Sequence, residues 1–216
     1  LRYTRHSLIP EPGGAPGGGP AGALSLSLRP DRDALILRAT ETVQAGFTVL
    51  TAEAEIACAP DPLLTPQRWS LSLCWQTGPQ SGAAKGEMDQ KRSGRSSGKE
   101  LIFNAAKERR RPAPERWTGF WNLFSAVQRL PFQAASVLTF DLFEEMDLFK
   151  PGQRLVYIGP QTVTLKGQPI ALHVFEQTGH GVLPWHWWLD EQHRVVLASG
   201  GQRAYLLDSE AKGGAA

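Results

Sequence analysis

The stretch Leu24-Ser25-Leu26-Ser27-Leu28-Arg29-Pro30-Asp31-Arg32-Asp33-Ala34-Leu35-Ile36-Leu37-Arg38-Ala39-Thr40 decides the fold class. Leu24, Leu26 and Leu28 alternate with two serines, a period of two that sets the leucines on one face of a half-buried strand. Pro30-Asp31-Arg32-Asp33 supplies turn chemistry, and Leu35, Leu37 and Ala39 then alternate with Ile36, Arg38 and Thr40. Two antiparallel strands are the expected product. Working outward, Leu1 to Ile9 reads as a preceding strand. Phe47 to Cys58 follows with Glu53 and Glu55 on one face and Ala52, Ala54 and Ile56 on the other. Trp69, Leu71, Leu73 and Trp75, set against Ser70, Ser72 and Cys74, continue the meander.

The second half repeats the pattern: Val137 to Glu144, Arg154 to Ile158, Gln161 to Leu165, Ile170 to Gln177, Trp185 to Leu189, Arg194 to Ala198 and Arg203 to Leu207. Turn signals separate these runs at Lys150-Pro151-Gly152, Gly159-Pro160, Lys166-Gly167, Asp190-Glu191-Gln192 and Ser199-Gly200-Gly201. Phe120, Leu123, Phe124, Val127 and Leu130 recur at helical spacing, with Thr118 or Gly119 before them and Pro131 after, which predicts one helix over about residues 119–130. Trp121 sits to one side of that stripe. A helix this short depends on packing for its stability, so its apolar face is expected on the sheet. The expected fold is mainly β: a large curved antiparallel sheet (a meander, half-barrel or open barrel) of about ten to twelve strands with one short helix packed on it. It forms a single domain over residues 1–208, with a flexible Gly/Pro loop at 11–22 and a disordered tail at 209–216.

A chain of 216 residues with 41% apolar and 20% charged residues can bury a core and does not belong to the disordered class. Net charge is only +2, but residues 85–116 carry ten basic and five acidic side chains, a local +5 that leaves the rest at −3. Phe103 is the sole aromatic ring of that basic segment, so it lacks the stacking platforms of a nucleic-acid surface and reads as a solvated hairpin with charged edges; no nucleic-acid partner is expected. No apolar run reaches the ~18 residues that a transmembrane helix needs.

The segments Gln128-Arg129-Leu130-Pro131, Leu148-Phe149-Lys150-Pro151-Gly152-Gln153-Arg154, Leu183-Pro184-Trp185 and Trp188-Leu189-Asp190-Glu191-Gln192-His193, together with Trp121, resemble exported β-sheet proteins of the bacterial envelope. In outline these are similar to the lipoprotein-carrier (LolA/LolB-like) superfamily, in which a curved antiparallel sheet wraps a helix around an apolar cavity. The resemblance implies export and a binding or carrier role, and it transfers no catalytic residues.

Motif by motif, the residues point the same way. Gly17-Gly18-Gly19-Pro20-Ala21-Gly22 spells G-x-G-x-x-G, but Pro20 and the strand that follows leave no helix N-terminus to hold a pyrophosphate. His173, His180, His186 and His193 are spaced seven, six and seven apart, which matches no compact zinc signature, so no metal and no cofactor is expected. No nucleophile motif is present, and no catalytic residue is assigned. Cys58 and Cys74 are expected to lie far apart along one hairpin, with Cys58 facing Arg68 and Cys74 facing Ala52.

For the last three strands, a three-residue turn at 190–192 and a turn at 199–202 predict that Trp187 opposes Val195, Trp185 opposes Leu197 and Leu197 opposes Ala204. Trp185, Trp187, Leu189, Val195, Leu197, Ala204 and Leu206 would then face the helix. His186, Trp188, Arg194 and Tyr205 would share the other, amphipathic face, with Trp188 within cation–π reach of Arg194. With Trp121, these four are the candidate ligand-binding residues. The function so implied is a non-enzymatic, extracytoplasmic (periplasmic or cell-envelope) binding or carrier domain for an apolar or amphipathic ligand such as a lipid. The alternatives are a glycan-binding or hydrolytic domain built on the His/Trp segment 173–193, with Asp141, Glu144, Glu145 and Asp147 as its carboxylates, and a protein-interaction scaffold.

Overall fold

The computed structural model describes residues 1–8, 20–77, 87–104, 108–134, 137–165 and 167–208. Its strands are β1 (Arg2–Ser7), β2 (Pro20–Asp31), β3 (Ala34–Ala45), β4 (Thr48–Cys58), β5 (Pro66–Thr77), β6 (Glu87–Ser97), β7 (Glu100–Asn104), β8 (Arg109–Pro112), β9 (Trp117–Gly119), β10 (Val137–Glu144), β11 (Leu148–Leu165), β12 (Gln168–Thr178), β13 (Trp185–Leu189), β14 (Val195–Gly200) and β15 (Arg203–Leu207). Helix α1 (Phe120–Ala126) lies between β9 and β10 and tightens into a 3₁₀ turn at Val127–Arg129. All fifteen strands belong to one open sheet, in the order β8-β7-β6-β5-β4-β3-β2-β1-β15-β14-β13-β12-β11-β10-β9.

Among the described residues every pairing is antiparallel except β9 with β10, which α1 joins as a parallel crossover. The first and last strands meet in mid-sheet, with Tyr3 opposite Leu207. The free edges belong to β8 and β9, which are consecutive in the chain. Side chains draw the two flanks together there. Trp69 of β5 meets Trp117 of β9 edge-on at 6.0 Å and Phe143 of β10 at 5.2 Å, and Phe103 of β7 meets Phe143 at 6.0 Å. Arg109 on β8 also pairs with Asp147 at 3.1 Å.

The sheet curls around α1: Phe120, Trp121, Leu123, Phe124 and Ala126, with Val127 of the following turn, are core residues, and Ser125 is half-buried. The expected stripe holds, but Trp121 and Asn122 are enclosed as well, because a sheet of this width wraps the whole helix. Asn122 donates its amide nitrogen to the Leu64 carbonyl at 2.8 Å and to Cys58 Sγ at 3.2 Å, while its buried Oδ1 is left without a partner among the described residues.

The strand count exceeds the expected ten to twelve for two reasons. The basic segment forms β6, β7 and β8, and Trp117–Gly119 forms β9 without any readable alternation. Conversely, Gly159-Pro160 is no turn. The pairing with β12 slips between Tyr157 and Gly159, so β11 runs through as one bent strand. Of the expected 11–22 loop, Pro20–Gly22 belongs to β2, and a Cβ on Gly22 would lie 1.9 Å from the Thr42 carbonyl oxygen. The rest of that loop, and the 209–216 tail, lie outside the described residues.

The registers also differ. Trp187 pairs with Ala198 and Trp185 with Gly200, because the Asp190 carboxylate accepts from the Gln192 and Arg194 N–H groups and draws 190–194 into a longer turn. That three-residue shift is odd, so Ala198 instead of Leu197 joins the Trp187 face, and Tyr205, opposite Ala198, faces the core instead of Leu206; the two-residue turn that pairs Gly200 with Arg203 shifts β15 by two and keeps its parity. Trp187 does pack on α1, 5.1 Å from Phe124. In the β4–β5 ladder Cys58 opposes Pro66 and Cys74 opposes Thr51, which keeps the two sulfurs at opposite ends.

Candidate functional site

Alternation along β3 turns Leu35, Leu37, Ala39, Glu41 and Val43 to the same side, and that side is the interior. Glu41 is therefore a carboxylate built into a core face, only 7% exposed. Three elements supply its partners. Trp121 of α1 donates its indole N–H to Oε2 at 3.0 Å, and Tyr205 of β15 donates its hydroxyl to Oε1 at 2.6 Å. Arg5 of β1 brings Nε to 3.4 Å from Oε1. Burial and the adjacent Glu41 carboxylate push the Tyr205 hydroxyl well above its ordinary range, so the phenol stays a neutral donor.

Beside this cluster a cavity of about 220 Å³ opens between the sheet and the start of α1. One wall is apolar: Val43, Leu50, Ala52, Leu73 and Trp75 from β3, β4 and β5. Phe120 and Trp121 form a second, aromatic surface. The remaining lining is charged: Arg5 and Glu41, Arg92 from β6, Glu144 and Glu145 from the end of β10, and Arg203 from β15. A wider open groove adjoins it, sharing Arg5, Val43, Phe120, Glu144 and Arg203 and extending toward Lys150 and Leu183.

The charged groups of the mouth hold one another in place. Lys150 pairs with Glu144 at 2.5 Å, and Arg203 reaches the other oxygen of Glu144 at 3.4 Å. The Arg203 guanidinium lies over the rings of Phe120 and Trp185 at 4.8 and 5.2 Å from their centroids, a cation–π seat. Arg92 donates to the backbone carbonyl of Glu145 at 2.9 Å.

The five residues expected to bind ligand divide into two sets. Trp121 and Tyr205 come together inside, on the two oxygens of Glu41, and Trp121 lines the cavity. His186, Trp188 and Arg194 lie on the outer face and line neither the cavity nor the groove. His186 contacts Glu176 at 3.5 Å, and Arg194 pairs with Asp190 at 2.6 Å. Trp188 sits opposite Leu197, so the expected Trp188–Arg194 contact does not form; the longer 190–194 turn places Arg194 on Asp190 instead. The histidines do not converge: among the described residues no three His, Cys, Asp or Glu side chains are grouped to hold a metal. His173 instead stacks on Phe132 at 3.7 Å, with His193 on the other face of that ring at 3.9 Å.

Glu41, Arg5 and Arg203 escaped the sequence reading. For Glu41 and Arg5 the signal is parity, a charge placed where the strand's alternation calls for a core residue; Arg203 shares its parity with Tyr205, which the alternation of that strand put on the outer face.

No family model matches the chain, and no curated protein matches it. Among solved structures, the crystal structure of a DUF1089 family protein from Pseudomonas aeruginosa is similar at 9% identity and a TM-score of 0.45, over 80% of this chain and 87% of that one. No helix among the described residues is long and apolar enough to cross a membrane.

Proposed function

We propose that the protein is a non-enzymatic, extracytoplasmic binding or carrier domain that holds an amphipathic small molecule, such as a lipid, in the cavity between the sheet and α1. The observation that carries this reading is the division of the cavity into an aliphatic wall (Val43, Leu50, Ala52, Leu73) and a charged wall (Arg5, Glu41, Arg203), with aromatic rings beside them. Concave, mostly apolar sites with a few placed polar groups are the usual form of small-molecule pockets. The carboxylates favour binding over catalysis, since Glu41 has both oxygens occupied by neutral donors and Glu144 is held by Lys150 and Arg203. The proposed location outside the cytoplasm rests on the sequence resemblance to exported envelope proteins alone.

The test is displacement of the uncharged probe N-phenyl-1-naphthylamine. The wild-type protein should enhance its fluorescence and release it to added amphiphiles. Ala52→Phe, which fills the cavity from the apolar wall, should abolish the enhancement while leaving the far-UV circular dichroism unchanged. A protein that neither binds the probe nor retains any lipid in native mass spectrometry overturns the proposal.

A further inference from the structure

The two arginines shared by cavity and groove are under-committed. Arg5 has a side chain only 16% exposed, and its Nε is buried with no hydrogen-bond partner. Its ionic neighbour among the described residues, Glu41, already accepts from Tyr205 at 2.6 Å and Trp121 at 3.0 Å, so the Arg5 contact at 3.4 Å is the loosest of the three. Arg203 shares Glu144 with Lys150: Lys150 holds Oε2 at 2.5 Å, and Arg203 donates one long hydrogen bond to Oε1 at 3.4 Å.

The two side chains are also neighbours. Arg5 pairs with Tyr205 and Ser7 with Arg203 across β1 and β15, so Arg5 and Arg203 occupy diagonal positions on the same inner face. The cavity itself is lined by three arginines (Arg5, Arg92, Arg203) and three carboxylates (Glu41, Glu144, Glu145), whereas the adjoining groove sets Arg5, Arg203 and Lys150 against Glu144 alone, so the positive excess lies at the mouth that the two arginines share. A largely buried guanidinium that shares its carboxylate with closer donors is imperfectly satisfied, and planar guanidinium forks match the two oxygens of a carboxylate.

We infer that the cavity takes a carboxylate-bearing amphiphile, a medium-chain fatty acid, whose carboxylate is gripped between Arg5 and Arg203 while its chain lies along Val43, Leu50, Ala52 and Leu73. The length follows from the volume: 220 Å³ holds about seven groups of water size at ~30 Å³ each, which is an acyl chain of roughly eight carbons. The carboxylate supplies the Arg5 Nε with an acceptor and Arg203 with a closer one than Glu144, and the aliphatic wall removes the chain from water. This inference rests on the binding role proposed above and adds the charge and size of the ligand.

The test is calorimetric titration of the whole chain with octanoate, octanamide and octylamine, which share a chain and differ in head charge. Octanoate should bind at least tenfold more tightly than octanamide, and octylamine more weakly than either. Arg203→Gln and Arg5→Gln should each weaken octanoate at least tenfold and change octanamide less than twofold. Arg203 is the safer variant, because its side chain is partly exposed and Arg5 borders the buried Glu41 cluster. If octanoate and octanamide bind equally, or if Arg203→Gln leaves octanoate binding intact, the anionic ligand is wrong and the binding role stands. If none of the three binds and the naphthylamine probe also fails, both readings fall.

Discussion

Glu41 shows what a single residue can fix. Its carboxylate joins β1, β3, α1 and β15 through Arg5, Trp121 and Tyr205. Removing it leaves a buried phenol and a buried indole N–H without an acceptor and a largely buried guanidinium without its counter-ion. Glu41→Ala should therefore cost about 3–5 kcal/mol in urea unfolding, in the range found when one partner of a buried charged pair is deleted. Glu41→Gln, which keeps an acceptor oxygen, should recover a good part of that loss; equal losses in the two variants would mean that the hydrogen bonds do not matter. The position was legible in principle, since Leu35, Leu37, Ala39 and Val43 share its parity, but the sequence does not show which donors would meet it. Tyr205 and Arg5 are 164 and 36 residues away, and only the closure of β15 on β1 brings them in. Cys58 carries a second prediction at this scale. Burial pushes its thiol from 9.0 up to about 12, against the opposing hydrogen bond from Asn122. A raised thiol pKa means that the folded state keeps its proton longer than the unfolded chain. The stabilisation is thus complete below pH 9 and drains away between pH 9 and about 12. Stability should fall from pH 8 to pH 10, and Cys58→Ala should show a shallower fall over that interval, measured as the shift in urea midpoint.

Strands were legible wherever one face met the core and the other met water. β2, β4 and β5 alternate cleanly, and their existence followed from period alone. β9 is three residues long and buried throughout, and β8 is exposed throughout; neither has a period to read. Register was less legible than existence, because turn length at 190–194 depends on the Asp190 carboxylate capping two backbone N–H groups. One register has a sharp consequence. Gly200 lies directly opposite Trp185, and a Cβ there would sit 2.4 Å from the indole ring. That glycine is what lets Trp185 lie flat on β14, within stacking distance (5.9 Å) of Trp187. Gly200→Ala should push the ring off the strand and cost about 1–3 kcal/mol, the usual penalty of overpacking a filled core. The indole resonances of Trp185 and Trp187 should shift together in the NMR spectrum of this variant. An unchanged unfolding midpoint would show that the pairing differs from Trp185 opposite Gly200.

At the scale of the whole molecule, chain order and sheet order agree except at one junction. Reading β9 through β15 and then β1 through β8, every strand pairs with the next; only the β15–β1 contact spans the chain, and only β8 and β9 fail to pair. The seam between β8 and β9 is closed by rings and by Arg109–Asp147 rather than by backbone ladder, so the covalent link across it adds little to the sheet. The β15–β1 junction is the reverse case, a full ladder whose partners Tyr3 and Leu207 are brought together at a large cost in chain entropy. The Asp208 N–H donates to the Arg2 carbonyl at 3.0 Å, so a short glycine linker can join Asp208 to Leu1. A circular permutant that begins at Glu115 and ends at Pro114 converts the most distant strand pairing into a local one and cuts the chain where no ladder crosses. It should fold to the same sheet with a stability within about 2 kcal/mol of the parent, because loop entropy changes only logarithmically with length. Its refolding should be faster, since local pairings raise folding rates. Stopped-flow refolding monitored by tryptophan fluorescence gives the comparison. A permutant that refolds more slowly, or does not fold, would mean that the link between β8 and β9 organises the closure of the sheet, and that β15 and β1 join only after that seam has formed.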